Sequence, residues 1–410
     1  MHANSKFCVY MKKFLFLLCS AAIVWGCSER VSEPDAGYVT GDVADFGGDG
    51  GAGGGDDGDE QSHAGIVTAG EWRDLDNWAF WSGLMADSAE TAKFSSYWGL
   101  FTNNRVAVRV TDENGAPQRD VAVQLVRLKD DNASSTVLYE ARTDNKGEVN
   151  MWVSLTQKQA SVDTTQLRLI VDNTTREMPV AVTHWGDEVK WNACTASVTP
   201  SADIDIAFIV DATGSMLDEI SFLKSDLTNI ISQVSGKNTA ANIRTAALFY
   251  RDEGDDYVTR VNDFSADVAT TAAFIAKQNA DGGGDYPEAV HTALETGLQK
   301  LSWREDNCIR LAFMLLDAPP HKNDEVIASL QKSIPRYAQR GVRIIPVAAS
   351  GVDDATEFFL RFTALATDAT YVFITNDSGV GGEHKQAMVG EYKVELLNEL
   401  IIRLINQYME

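Results

Sequence analysis

Residues 204–211 read IDIAFIVD and run straight into ATGSM at 212–216. A nearly unbroken apolar run closed by an acid is the pattern of a strand buried on both faces, as in a parallel sheet covered by helices. Outward from it the chain alternates in kind. MLDEISFLKSDLTNIISQV (216–234) spaces its apolar residues as a helix does, and NIRTAALFYRD (242–252) and YVTRVNDF (257–264) read as strands. Residues 287–301 then read as a helix, IRLAFMLLD (309–317) as a strand and 324–339 as a helix. GVRIIPVAA (341–349) and TYVFIT (370–375) are further strands around a helix at 354–366, and EYKVELLNELIIRLINQYM (391–409) is an amphipathic helix. Alternation of this kind predicts right-handed crossovers and a doubly wound, Rossmann-like α/β domain over 198–410. Ligands of such sheets bind beyond the carboxyl ends of the strands.

Residues 99–197 follow a different period. RVAVRVTD, VAVQLVRL, VLYEARTD, EVNMWVSL, QLRLIVD and MPVAVTHW alternate apolar and polar positions, with turn residues at Asn114-Gly115 and Asn145-Lys146-Gly147. This predicts an antiparallel all-β sandwich of six or seven strands. The stretch VTDENGAPQRDVAVQL followed by ARTDNKGEV resembles the carboxypeptidase-regulatory, transthyretin-like modules of bacterial surface proteins. That resemblance implies a spacer or a binding platform and carries over no catalytic residue. Between 63 and 98 the aromatic cluster Trp72, Trp78, Phe80, Trp81 and Trp98 could form a sugar-stacking platform; burial against the following sandwich is the favoured reading, because large rings contribute most when covered.

The amino end is of a third kind. From Met11, MKKFLFLLCSAAIVWGC joins a basic start to an apolar stretch too short to span a bilayer, as in a secretory signal. Its ending resembles a bacterial lipoprotein signal, which implies cleavage after residue 26, lipid on Cys27 and an outer-membrane location. Residues 27–62 are rich in Gly and Asp and poor in large apolar side chains, so they predict a flexible acidic tether. The whole chain has 410 residues, 44% hydrophobic, with 59 acidic against 35 basic residues and a net charge of −24. That balance excludes a nucleic-acid partner and attachment to anionic membrane by charge alone. Cys194 and Cys308 are the thiols left beyond the leader; in an exported chain they form a disulfide or stay buried and free, and spacing does not decide.

Three loops at the predicted carboxyl ends hold oxygen-bearing side chains: Asp211-Ala-Thr213-Gly-Ser215, Asp281-Gly-Gly-Gly-Asp285-Tyr-Pro-Glu288, and Asp317-Ala-Pro-Pro-His321. Carboxylates and hydroxyls are hard donors that suit magnesium, calcium or manganese rather than zinc. With these motifs in this order, 203–409 resembles a von Willebrand factor A domain with a metal-ion-dependent adhesion site. The resemblance implies one divalent cation held by Asp211, Thr213, Ser215 and Asp317, with Asp285 as the second-loop ligand where many members have Thr. It further implies that an acidic side chain of a partner protein completes the cation's shell. Asp252, His321 and Glu288 are candidates for the rim or for holding the ligands, each with a plainer reading: a solvated acid, a turn histidine and a helix-start glutamate. No Walker loop, G-x-S-x-G or H-E-x-x-H occurs, and position 213 is Thr where a haloacid-dehalogenase phosphatase needs Asp, so no enzymatic activity is expected. The alternative reading is a structural or glycan-binding surface lipoprotein in which the metal only braces loops.

Overall fold

The computed structural model describes residues 67–86, 88–129, 134–159, 161–176, 178–199, 201–376 and 385–410. The leader, Cys27 and the tether lie outside the described residues. All described residues fall in one compact unit.

The chain enters at β1 (Thr68–Trp72), followed by α1 (Trp78–Met85) and α2 (Lys93–Trp98). Seven strands come next: β2 (Arg105–Thr111), β3 (Ala122–Leu128), β4 (Ser135–Arg142), β5 (Glu148–Trp152), β6 (Leu167–Val171), β7 (Thr174–Arg176) and β8 (Trp191–Thr195). They form a three-stranded sheet, β5-β2-β8, and a four-stranded sheet, β4-β3-β6-β7; the pairings are antiparallel except β2 with β8, which run parallel and so correct the all-antiparallel expectation. The run 178–185, which alternates like a strand, makes only one bridge, Thr183 to Arg105. Its neighbour Asn192 explains why: the Asn192 side chain occupies both the N–H and the C=O of Ala181, so the ladder groups there are already satisfied.

The rest alternates: β9 (Ile204–Asp211), α3 (Leu217–Lys237), β10 (Ile243–Tyr250), β11 (Thr259–Ser265), α4 (Val268–Ile275) and α5 (Val290–Lys300). Then come β12 (Ile309–Leu316), α6 (Asp324–Gln339), β13 (Val342–Ala348), α7 (Asp354–Ala366), β14 (Tyr371–Ile374), β15 (Glu395–Leu396) and α8 (Leu397–Met409). The large sheet has the order β11-β10-β9-β12-β13-β14-β1-β15. Strands β10, β9, β12, β13 and β14 are parallel, and every residue of β9, β12 and β13 is buried, as their apolar runs require.

The α/β layer does not begin at residue 198. β1 pairs antiparallel with both β14 and β15, so the aromatic segment supplies a strand to the large sheet as well as covering the β layer. Trp81 packs edge-on to Phe362 of α7 at 5.2 Å and Phe94 stacks on Phe358 at 4.8 Å, whereas Trp78 meets Trp152 of β5 at 6.1 Å. Trp78, Trp81 and Trp98 are buried rather than displayed. One continuous apolar cluster runs through the β layers and the α/β layers, which therefore do not stand as independent cores. The junction is braced by the buried pair Asp74–Arg361, with Arg361 Nε 2.8 Å from Asp74 Oδ2. No described helix is long and apolar enough to cross a membrane.

Cys194 and Cys308 are buried free thiols, the second of the two alternatives that spacing left open. Cys194 sits on β8 opposite Val110, whereas Cys308 precedes β12 with its N–H on Asp120, so the two belong to different sheets. Burial raises the pKa of both thiols, that of Cys308 to about 11, which keeps them inert.

Candidate functional site

Parallel pairing puts the ends of β9, β10 and β12 side by side, and the loops that follow them meet there. β9 closes on Asp211, in register with Tyr250, the last residue of β10. The turn folds back so that the Thr213 N–H and hydroxyl both donate to Asp211 Oδ1, at 2.9 and 2.7 Å. Asp211 Oδ2 is buried without a hydrogen bond of good geometry, although the Tyr250 hydroxyl lies near enough to the carboxyl to pull its pKa down. Beyond β12, Asp317 is buried and its Oδ1 is also unpartnered. The Ser215 hydroxyl lies beside it and pulls its pKa down against the stronger upward effect of burial.

The loop 281–289 joins these two. Glu288 N–H donates to Pro319 O at 2.9 Å, and Asp281 N–H to Ala212 O at 3.1 Å. Gly283 is at φ 73°, and a Cβ there would approach Glu288 Oε1 at 3.1 Å and the Thr213 Cβ at 3.3 Å. Glycine is thus required by both backbone and space. Asp255 Oδ2 accepts from the N–H groups of Gly283 (3.0 Å) and Asp252 (3.2 Å), which fixes the loop after β10 against the glycine run. His321 Nε2 is 2.7 Å from Asp252 Oδ1.

Electrostatically the cluster is under-compensated. Burial, then Asp317, raises the Asp211 carboxyl to about 7. Burial, then Asp211 and neighbouring acids, raises Glu288 to about 9, and its Oε2 is buried and unpartnered. Glu219, in the first turn of α3, is pushed to about 7 by burial and by Asp317, and its Oε2 is unpartnered too. Buried carboxylate oxygens without donors are rare in folded proteins. A hard divalent cation relieves both the repulsion and the missing partners.

Among the described residues no three His, Cys, Asp or Glu side chains form a metal-holding group by themselves. Any cation here would need the Thr213 and Ser215 hydroxyls as well, which is the oxygen-rich donor set that hard cations accept. Of the residues singled out in the sequence, Asp211, Thr213, Ser215 and Asp317 come together, and Asp252 and His321 form a pair at the rim. Asp285 does not join them: it is exposed and has no hydrogen-bond or ion-pair partner among the described residues. Glu288 is instead the acid of the second loop that turns inward. Sequence reading does not single out Glu219, Tyr250 or Asp255. The signal for Glu219 is its place four residues after Ser215 at the start of a helix, a spacing that returns it to the same end of the sheet.

Residues 205–371 match the family model of the von Willebrand factor A domain. A stretch of 193 residues is 27% identical to the putative ariadne-like RING finger protein R811 of Acanthamoeba polyphaga mimivirus, covering 43% of this chain and 19% of that protein. A stretch of 150 residues is 28% identical to the alpha-protein kinase vwkA of Dictyostelium discoideum, covering 36% of this chain and 23% of that one. The chain thus spans about a fifth of the length of these relatives. Among solved structures, the conserved hypothetical protein BatB of Bacteroides thetaiotaomicron aligns at TM-score 0.33 and 11% identity, over 50% of this chain and 98% of that one.

Proposed function

We propose that the von Willebrand factor A domain at residues 205–371 holds one divalent cation, magnesium first, and through it binds a partner protein that presents an acidic side chain. The observation that carries this reading is the set of buried oxygens without partners: Asp211 Oδ2, Asp317 Oδ1 and Glu288 Oε2. Asp211 and Asp317 would hold the cation, the Thr213 and Ser215 hydroxyls would complete the protein's share, and Glu288 would balance charge from the second loop. A bound cation supplies positive charge and a position that an incoming carboxylate can fill. The protein's own residues do the positioning. Thr213 holds Asp211 Oδ1, Gly283 lets the second loop close on both, and the Asp252–His321 pair closes the rim. Binding rather than catalysis is the activity proposed, and the lipid on Cys27 would keep the protein in the bacterial outer membrane.

Calorimetric titration of the full chain with MgCl2 tests the cation: one binding event is expected, and Asp211→Asn abolishes it. Capture of partners from the native envelope with magnesium or with EDTA then tests adhesion. Capture that persists equally in EDTA and in Asp211→Asn supports the structural or glycan-binding alternative instead. Labelled palmitate incorporated by the wild type and not by Cys27→Ser tests the anchor.

A further inference from the structure

Away from the metal loops, the turn 101–104 and the segment 184–186 meet the helices α1 and α2. Two cavities open there, about 240 Å³ and about 710 Å³, and Asn103 and Trp185 belong to the walls of both. The larger, which holds His184, lies within the roughly 300–1,000 Å³ usual for small-molecule sites; the smaller, which holds Asn104, Gln157 and Gln159, adjoins it across Asn103 and Trp185. Their chemistry is unlike the rest of the molecule. The chain has 59 acidic residues, yet among the described residues no carboxylate lines either cavity, and Lys158 is the one lysine or arginine that does. Side-chain amides take the place of charge: Asn103, Asn104, Gln157 and Gln159.

This wall is held in place before any ligand arrives. Asn103 Oδ1 accepts from the N–H of Asn104 at 2.9 Å and of Trp185 at 3.2 Å. Asn104, 1% exposed, keeps a left-handed backbone at φ 62°. Its Oδ1 lies 2.8 Å from His184 Nδ1 while its amide donates to Gln159 O at 3.4 Å. With Nδ1 donating, His184 Nε2 is left as an acceptor. Two consecutive asparagines therefore hold the His184 imidazole and the main chain of Trp185 in place, while the half-buried indole keeps its own Nε1 without a partner among the described residues; a wall fixed in advance lowers the ordering cost of binding.

A ligand for this wall must offer an apolar face to an indole and a rim of groups that each donate and accept, since an amide does both. It must not depend on charge. An anion would meet one lysine in a protein of net charge −24, and among the described residues a cation would find no carboxylate. A pyranose ring meets all three demands: its axial C–H groups form an apolar face and its hydroxyls form the rim. We infer that the Trp185 cleft is a binding site for a neutral saccharide, with Trp185 as the stacking surface and Asn103, Gln157, Gln159 and His184 as hydrogen-bonding partners. No residue of this cleft belongs to the loops 211–216, 252–255, 281–289 or 317–321, so the site stands independently of the cation.

The test uses the full chain, calorimetry and saturation-transfer NMR, with cellotetraose, maltotetraose and triacetylchitotriose as probes and tetragalacturonate as the acidic control. At least one neutral oligosaccharide is expected to bind. Trp185→Ala should weaken that binding about tenfold or more, close to 1.4 kcal/mol. Gln157→Ala, at an exposed position with no part in the core, should weaken it roughly threefold, so the result does not rest on a variant that fails to fold. EDTA and Asp211→Asn should leave it unchanged. The inference is overturned if none of the three neutral probes binds, if tetragalacturonate binds as tightly, if both substitutions leave affinity intact, or if chelation removes it.

Discussion

Asp205 and Asp211 lie near the two ends of β9, both 0% exposed, and their surroundings differ in kind. Asp205 accepts from Arg244 Nε and Nη2 at 2.9 and 2.7 Å, from the Arg304 N–H at 2.9 Å, and from the Arg304 guanidinium. At the same end of the sheet Asp120 takes Arg142 at 2.7 Å and Arg310 at 2.8 Å. At the other end no lysine or arginine among the described residues pairs with Asp211, Glu288 or Asp317. Arg251 enters that region, but it donates to the carbonyls of Ala212 and Asn279. This fold therefore neutralises its buried acids with arginine where only architecture is at stake. Where the loops open, the acids have no basic partner, which is the contrast behind the cation proposed above.

The sharpest way to break this contrast is to remove each acid in turn. Asp205→Ala takes the buried acid away from the half-buried Arg244 and Arg304 and should cost about 3 kcal/mol in urea unfolding. Asp211→Asn in EDTA should cost far less, or raise the melting temperature, because it removes repulsion rather than attraction. Equal losses for the two would refute the contrast. Next in size is the cation itself: magnesium at a hundred times its dissociation constant should stabilise the wild type by about 2.7 kcal/mol, and Asp211→Asn by nothing measurable in the same thermal scan. Gly283→Ala, which forces a side chain into a left-handed backbone against Thr213 and Glu288, should cost about 1 kcal/mol or more and weaken magnesium binding with it. Smallest is Asp285→Asn, at an exposed position, expected within about 0.5 kcal/mol in stability. A magnesium response lost as fully as in Asp211→Asn would return Asp285 to the ligand set in place of Glu288.

Much of the α/β half is legible in the chain because its signals are local. The strands β9, β12 and β13 are unbroken apolar runs, and α6 and α7 start where Asn323 and Asp353 cap them, accepting from the N–H groups of Val326 and Thr356. The motif order also brings Asp211, Thr213, Ser215 and Asp317 to one edge. What escapes is non-local. TAGEW has no strand signature of its own, and its place in the sheet depends on β14, some three hundred positions away. Residues 178–185 have the right alternation, yet a side chain takes their backbone partners. Glu288 reads as an acid suited to a helix start; only the close approach allowed by Gly283 turns it inward. Asp285 is the neighbour whose spacing fits equally well, and spacing within a loop does not say which of two acids faces in.

β1 has a mechanical consequence. Its ladder to β14 runs from Ala69 to Trp72, β15 flanks it on the other side, and Val67 O accepts from Leu397 N. A pull on the chain ahead of Val67 enters the molecule through a strand gripped on both edges, and the path through the sheet to the β9 loops crosses β14, β13 and β12 sideways. A tug-of-war between the amino-terminal segment and anything held at those loops would load five neighbouring strands of one sheet, from β1 to β9, in shear.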